Sequence, residues 1–222
     1  MITVARAVER ALEDHPLSGQ AMQAGIVNYS ALARELKPVV ESILLQPVSE
    51  GAVTIALKRQ AVRLRKRPPP PLLRHPVRNI ALRSGLTAFI YQNSPRLQDI
   101  HRRLIDATGH GDDAFIHFAQ GSRESSFLVS DNLLPVLRKL TTREAQTACY
   151  PDLTAIGVRM PPEVMTLPGV FAPFVQALGW KEVSIYQIVS HFTEITFIVS
   201  DADADRALRV IKAVGRSGGT KA

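Results

Sequence analysis

Glu194-Ile195-Thr196-Phe197-Ile198-Val199 carries apolar side chains with a period of two. Ser200-Asp201-Ala202-Asp203 then leads into Ala-rich sequence running through Val214. The first stretch reads as a half-buried strand and the second as a helix capped by Asp201 or Asp203. Working backwards, Val183 to Ser190 has the same period and forms a hairpin with 194–199, Gly169 to Leu178 reads as a helix, and Asp152 to Val158 reads as a strand. The order is strand, helix, strand, strand, helix.

The same order stands upstream. Leu86 to Tyr91 is a strand, Ser94 to Ala107 a helix opened by Ser94-Pro95, Ala114 to Ala119 and Ser125 to Val129 are strands, and Leu133 to Leu140 is a helix. A repeat of roughly 67 residues predicts two small α+β units, each a ferredoxin-like βαββαβ with helices over one face of an antiparallel sheet. The second unit lacks a strand after its last helix, because Arg216 to Ala222 is a polar, Gly-containing tail. Val77 to Leu82 is a spare strand that can complete it.

Ahead of the repeats, Arg65-Lys66-Arg67-Pro68-Pro69-Pro70-Pro71-Leu72-Leu73-Arg74-His75-Pro76 marks the sharpest break in composition. Four consecutive prolines cannot donate backbone hydrogen bonds and favour an extended strut, so 66–76 reads as a linker. Before it the pattern is helical. Ile2, Val4, Ala5, Val8, Ala11 and Leu12 recur at three- and four-residue spacing until Pro16 closes the segment. Asn28 caps a second helix that Pro38 interrupts, and Ser49 caps a last one of about 16 residues. The boundaries that follow are a helical domain at 1–65, the linker at 66–76, a first unit at 77–145, a second at 146–216, and a disordered tail at 217–222.

Charge and composition narrow the function classes. Of 27 basic and 20 acidic residues, residues 1 to 76 hold eleven and six, so most of the net +7 sits in the head and linker. That excess points to a polyanion contact made by the head. No apolar run approaches the roughly 18 residues needed to span a bilayer. Glu9, Glu13 and Asp14 fall where a signal peptide needs an apolar core, so a cytoplasmic protein without a membrane partner is expected. Cys149 is the single cysteine, which excludes an intramolecular disulfide or a cysteine-based metal cluster. His110 sits in a Gly- and Asp-containing turn and His117 alternates with Phe115 along a strand. Neither shows metal spacing, a phosphate loop or a nucleophile elbow. No catalytic residue, metal ligand or cofactor is expected.

The second half resembles the paired ACT domains of the aspartokinase regulatory region. The likeness rests on Leu167-Pro168-Gly169-Val170-Phe171-Ala172, similar to the family's Pro-Gly-Val lead into the first helix, and on Thr193 to Asp201 with the helix from Asp203 to Ile211. Val77 to Leu82 and Leu86 to Ile90 resemble the strand that precedes the first unit and completes the second. The first unit departs from the pattern, having Asn93-Ser94-Pro95-Arg96 in place of Pro-Gly-Val. No kinase catalytic domain is legible ahead of the repeats, so the expected regulation acts on something other than a fused active site. The head is similar to winged-helix or helix-turn-helix modules through Val27 to Ala33 and Val48 to Arg59, without an obvious wing. The fold class expected is therefore α+β, a helix-turn-helix-like helical head plus two ferredoxin-like ACT units.

The resemblance implies an amino acid or similar small carboxylate as ligand, bound at the start of the 169–178 helix by Leu167, Pro168, Gly169, Val170 and Phe171, with Ser184, Ile185 and Gln187 of the adjacent strand flanking. Unpaired amides and the dipole at a helix start suit a carboxylate. The alternative is that Pro168-Gly169 only turns the chain and Val170 and Phe171 only pack. On the last helix of the head, Lys58, Arg59 and Arg63 can reach the phosphates of duplex DNA and Thr54 a base edge; the alternative is a solvated basic face. The function expected is an amino-acid-responsive transcriptional regulator, with a non-catalytic regulatory subunit that docks on an enzyme as the runner-up. Exposed sheet edges and apolar helix faces imply a homodimer or larger assembly.

Overall fold

The structure is a computed structural model that describes residues 2–66, 77, 79–108, 114–164 and 168–217. The linker at 67–76, His110 with its turn, Leu167 and the tail beyond Ser217 lie outside the described residues. The chain divides into two compact units, 1–69 and 70–222.

The head holds four helices: α1 (Val4–Glu13), α2 (Pro16–Ala24), α3 (Tyr29–Leu44) and α4 (Glu50–Arg65). Short polar side chains start three of them. Thr3 accepts from the Arg6 amide, Asn28 from Ala31 and Ser49 from Ala52, which satisfies donors that have no partner inside the helix. α4 packs on α1, α2 and α3, and Val8, Met22, Leu36, Val40, Val53 and Leu57 are fully buried between them. α1 ends at Glu13, ahead of Pro16 as the spacing predicts, and Pro16 also opens a further helix, α2, because the first helical position needs no N–H. One reading of proline needs correction. Pro38 lies within α3 without ending it. An interior proline costs about 3 kcal/mol, but Pro38 is on the exposed side while Leu32, Ala33, Leu36 and Val40 are buried on the other. The apolar face thus holds the helix through the break in its ladder.

The second unit is one antiparallel six-stranded sheet in the order β2-β3-β1-β4-β6-β5. Its elements are β1 (Asn79–Gln92), α5 (Leu97–Thr108), β2 (Ile116–Gln120), β3 (Glu124–Ser130), α6 (Leu134–Leu140), β4 (Gln146–Arg159), α7 (Ala172–Trp180), β5 (Gln187–His191), β6 (Glu194–Ser200) and α8 (Asp201–Ser217). The two strands expected across 77–91 are one 14-residue strand, and β4 is as long, beginning at Gln146 instead of Asp152. These central strands serve both halves. Leu86–Gln92 pairs with β3 and with the start of β4, while Asn79–Arg83 pairs with Ala155–Arg159 beside β6.

The halves mirror each other about the β1–β4 pair. Leu86 faces Ser130 and Leu153 faces Ser200. One residue on in each strand, Thr87 donates to Asp131 and Thr154 to Asp201. Where the long strands shift register, Gly85 has φ +68 and Asp152 φ +55, one position ahead of the paired leucines. Ser200, not Asp201 or Asp203, starts α8. Its hydroxyl accepts from the Asp203 amide and donates to the Asp203 carboxylate, a reciprocal cap.

Strand alternation sorts the core into two faces. One carries Phe89, Tyr91 and Phe127 under α5 and α6, and Ile156, Val158 and Phe197 under α7 and α8. The reverse face carries Leu86, Ala88, Leu128, Leu153, Ala155 and Ile198 as one buried cluster drawn from both halves. His117 on β2 is held below its ordinary range first by burial, then by the charges of His191 on β5 and His101 on α5. Tyr150 on β4 meets Tyr186 ahead of β5, ring centroids 5.3 Å apart.

Candidate functional site

The turn Pro168–Phe171 precedes α7, which starts three residues later than the sequence pattern suggests. The delay has a local cause. Gly169 has φ +76 and closes a turn in which the Ala172 amide bonds to the Gly169 carbonyl at 3.2 Å. Pro168 and Gly169 are exposed, and a Cβ placed on Gly169 would meet none of the described residues within 4 Å. Val170 is buried and Phe171 packs half-buried, so two of the five expected contact residues serve the core.

Ser184 and Ile185 precede β5 instead of lying on it, and Gln187 is its first residue, opposite Ile198. Ser184 is exposed, Ile185 packs against the core and Gln187 is half-buried. The two segments are linked through the interior, since Val170, Phe171, Val183 and Ile185 belong to one apolar cluster. That shared core fixes both loops while leaving Pro168, Gly169 and Ser184 to solvent.

The corresponding approach in the first half is built differently. Ser94 and Arg96 precede α5, and Glu144, from the turn between α6 and β4, reaches them. Ser94 donates to Glu144 Oε2 at 2.5 Å, and Arg96 Nη1 stands 3.3 Å from Oε1. Beside it Tyr91 donates to Thr141 at 3.0 Å, and the Thr141 hydroxyl donates to the Leu137 carbonyl. Burial raises the Tyr91 phenol above its ordinary range. Sequence reasoning did not single out Glu144, whose neighbours Thr141-Thr142-Arg143 read as an ordinary polar turn.

On α4, Lys58, Arg59 and Arg63 are exposed and Thr54 is half-buried. Among the described residues none of the three cations stands in an ion pair, whereas Arg34 pairs with Glu50 at the start of the helix. The face is more mixed than its charge suggests. Ile55 and Val62, seven residues apart and so on one side of the helix, are 55% and 57% exposed between the cations. Among the described residues no cluster of three or more potential metal ligands is found, and no helix is long and apolar enough to cross a membrane.

No protein-family model matches the sequence, and no curated protein does. Solved structures do resemble the chain. The regulatory subunit of aspartate kinase from Thermus thermophilus, in its ligand-free form, matches 62% of this chain and 97% of its own at a TM-score of 0.50 and 16% identity. Aspartate kinase from Synechocystis matches 79% of this chain at TM-score 0.52 and 17% identity, and that of Clostridium acetobutylicum 63% at 0.51 and 14%. The match spans 33% and 35% of those two kinases' own lengths. The fold is thus the α+β arrangement of aspartate kinase regulatory subunits.

Proposed function

We propose that the chain is a regulatory protein of the ACT type, two ferredoxin-like units that bind an amino acid or similar small carboxylate and pass its occupancy to a helical output head. The observation that carries the reading is the strand order. Within each half the fourth strand lies beside the first, then the third, then the second, and the two long strands exchange ends so that each completes the other unit. Neither unit has a complete sheet without the other, so a ligand that shifts one strains the other. The likeness to a stand-alone regulatory subunit supports a non-catalytic role.

The ligand site in this reading is the turn into α7, with Leu167, Pro168, Gly169, Val170 and Phe171 on one side and Ser184, Ile185 and Gln187 on the other. Gly169 supports it, being exposed, in a left-handed conformation and with open space where a side chain would stand. A thermal-shift screen of the twenty amino acids on the full chain tests it, because a ligand that binds only the folded form raises apparent stability. The expected outcome is a selective rise that Gly169→Asp abolishes. A response of wild-type size in that variant places the ligand elsewhere.

The head fits a protein partner best, since Ile55 and Val62 sit exposed in the middle of α4's basic face and phosphates offer them nothing. Duplex DNA is the second reading, favoured by Lys58, Arg59 and Arg63 lying on one side with Thr54 near the helix start. A homodimer or larger assembly completes the proposal.

A further inference from the structure

The two approaches to the helices differ in what stands before them. Ahead of α7, a Cβ on Gly169 would meet none of the described residues within 4 Å. Ahead of α5, the corresponding place holds a carboxylate of the chain itself. The Glu144 side chain is only 3% exposed, its Oε2 accepts from Ser94, and its Oε1 stands by Arg96 Nη1 without making a hydrogen bond to any of the described residues. A carboxylate this deep is costly unless a countercharge and donors offset its lost hydration. Here the offsets are one hydroxyl, one guanidinium that is itself half in solvent, and the positive end of a 12-residue helix. These are the groups that would recognise a free carboxylate.

We infer that the approach to α5 is a carboxylate-binding site which the chain fills with its own Glu144. Small carboxylate ligands are therefore excluded from the first unit, and the protein takes one ligand per chain, at the α7 turn. The stoichiometry rests on the reading proposed above; the filled site at α5 does not. Asn93-Ser94-Pro95-Arg96 departs from the Pro-Gly-Val pattern because it serves this internal anion. Ser94 supplies the hydroxyl and Arg96 the charge.

The test is chemical rescue in the full chain. Glu144→Ala removes the internal carboxylate and leaves Ser94 and Arg96 in place. Its melting temperature is expected to fall, and sodium acetate is expected to raise it further than it raises the wild type at the same concentration. Sodium chloride at equal ionic strength should not do so, and adding Arg96→Ala should remove the excess. Equal acetate responses in wild type and variant, or none in either, would overturn the inference. If Glu144→Ala does not fold, a double-mutant cycle of Glu144→Gln and Arg96→Ala in urea decides, with non-additive effects expected and additive ones overturning it. Because the comparison reads only the excess over wild type, its failure leaves the α7 reading standing. Failure of the Gly169→Asp test leaves this one standing.

Discussion

At the residue scale, His117 and Glu144 show how the fold changes what a side chain does. His117 alternates along a strand as its sequence suggests, and the fold adds burial first, then the charges of His191 and His101, to its surroundings. All three effects disfavour the imidazolium, so the folded chain takes up the proton at lower pH than the unfolded chain, whose value lies near 6.5. Stability is then full above that value and declines as pH falls from it towards the folded value, where the unfolded state binds more protons. His101, lowered by burial as well, adds to the same trend. A melting temperature that drops between neutral and mildly acidic pH is expected, with a shallower drop for His117→Gln, and the His117 imidazole should titrate below 6.5 by NMR. A pH-independent melting temperature would show that His117 is not held below its ordinary range. The periodicity placed His117 on a strand; the burial that lowers it comes from the packed fold, and no local pattern encodes it.

At the element scale, helices were legible where a capping residue and an apolar stripe coincided. Asn28 and Ser49 start α3 and α4, because a side-chain acceptor three residues from a free amide is local chemistry. Pro38 misled for the opposite reason. Whether a proline ends a helix depends on what the remaining residues bury, and Leu36 and Val40 on α3 are fully buried among the head's apolar residues. The α4 face carries its own expectation. With Ile55 and Val62 at its centre, the full chain should not retain duplex DNA at physiological ionic strength, and the Lys58→Ala, Arg59→Ala, Arg63→Ala triple variant should leave any low-salt retention little changed. Tight binding that the triple variant loses, with the log–log salt slope falling by about 0.9 per lost contact, would favour DNA over protein docking. A salt titration by fluorescence anisotropy separates the two.

At the scale of the whole molecule, the sheet has two edge strands, β2 and β5, and the β5 side carries exposed apolar groups. Ile188 lies on β5, Phe192 in the turn after it is 74% exposed, and Trp180 at the end of the preceding α7 is 85% exposed. An unpaired edge beside large apolar side chains invites another strand, and self-association through β5 is the expected use. Sedimentation of the full chain at tens of micromolar should give a dimer or larger species, and Trp180→Asp with Ile188→Lys should shift it to monomer. A monomeric wild type would remove the assembly from the proposal.

The sequence by itself determined the alphabet of elements, the repeat and the break between head and sheet. These depend on periods of two and 3.6, on caps, and on a run of prolines, all of which act within a few residues. It also marked the spare strand at 77–82, because a unit one strand short is a counting argument. Only the tertiary structure decided that 79–92 is a single strand shared by both halves, since its two segments differ in partners and not in local pattern. The effect of His191 on His117 and the arrival of Glu144 at Ser94 and Arg96 likewise needed the fold. Both join residues 48 or more positions apart, and such meetings are set by how the elements pack, not by which residues stand next to each other.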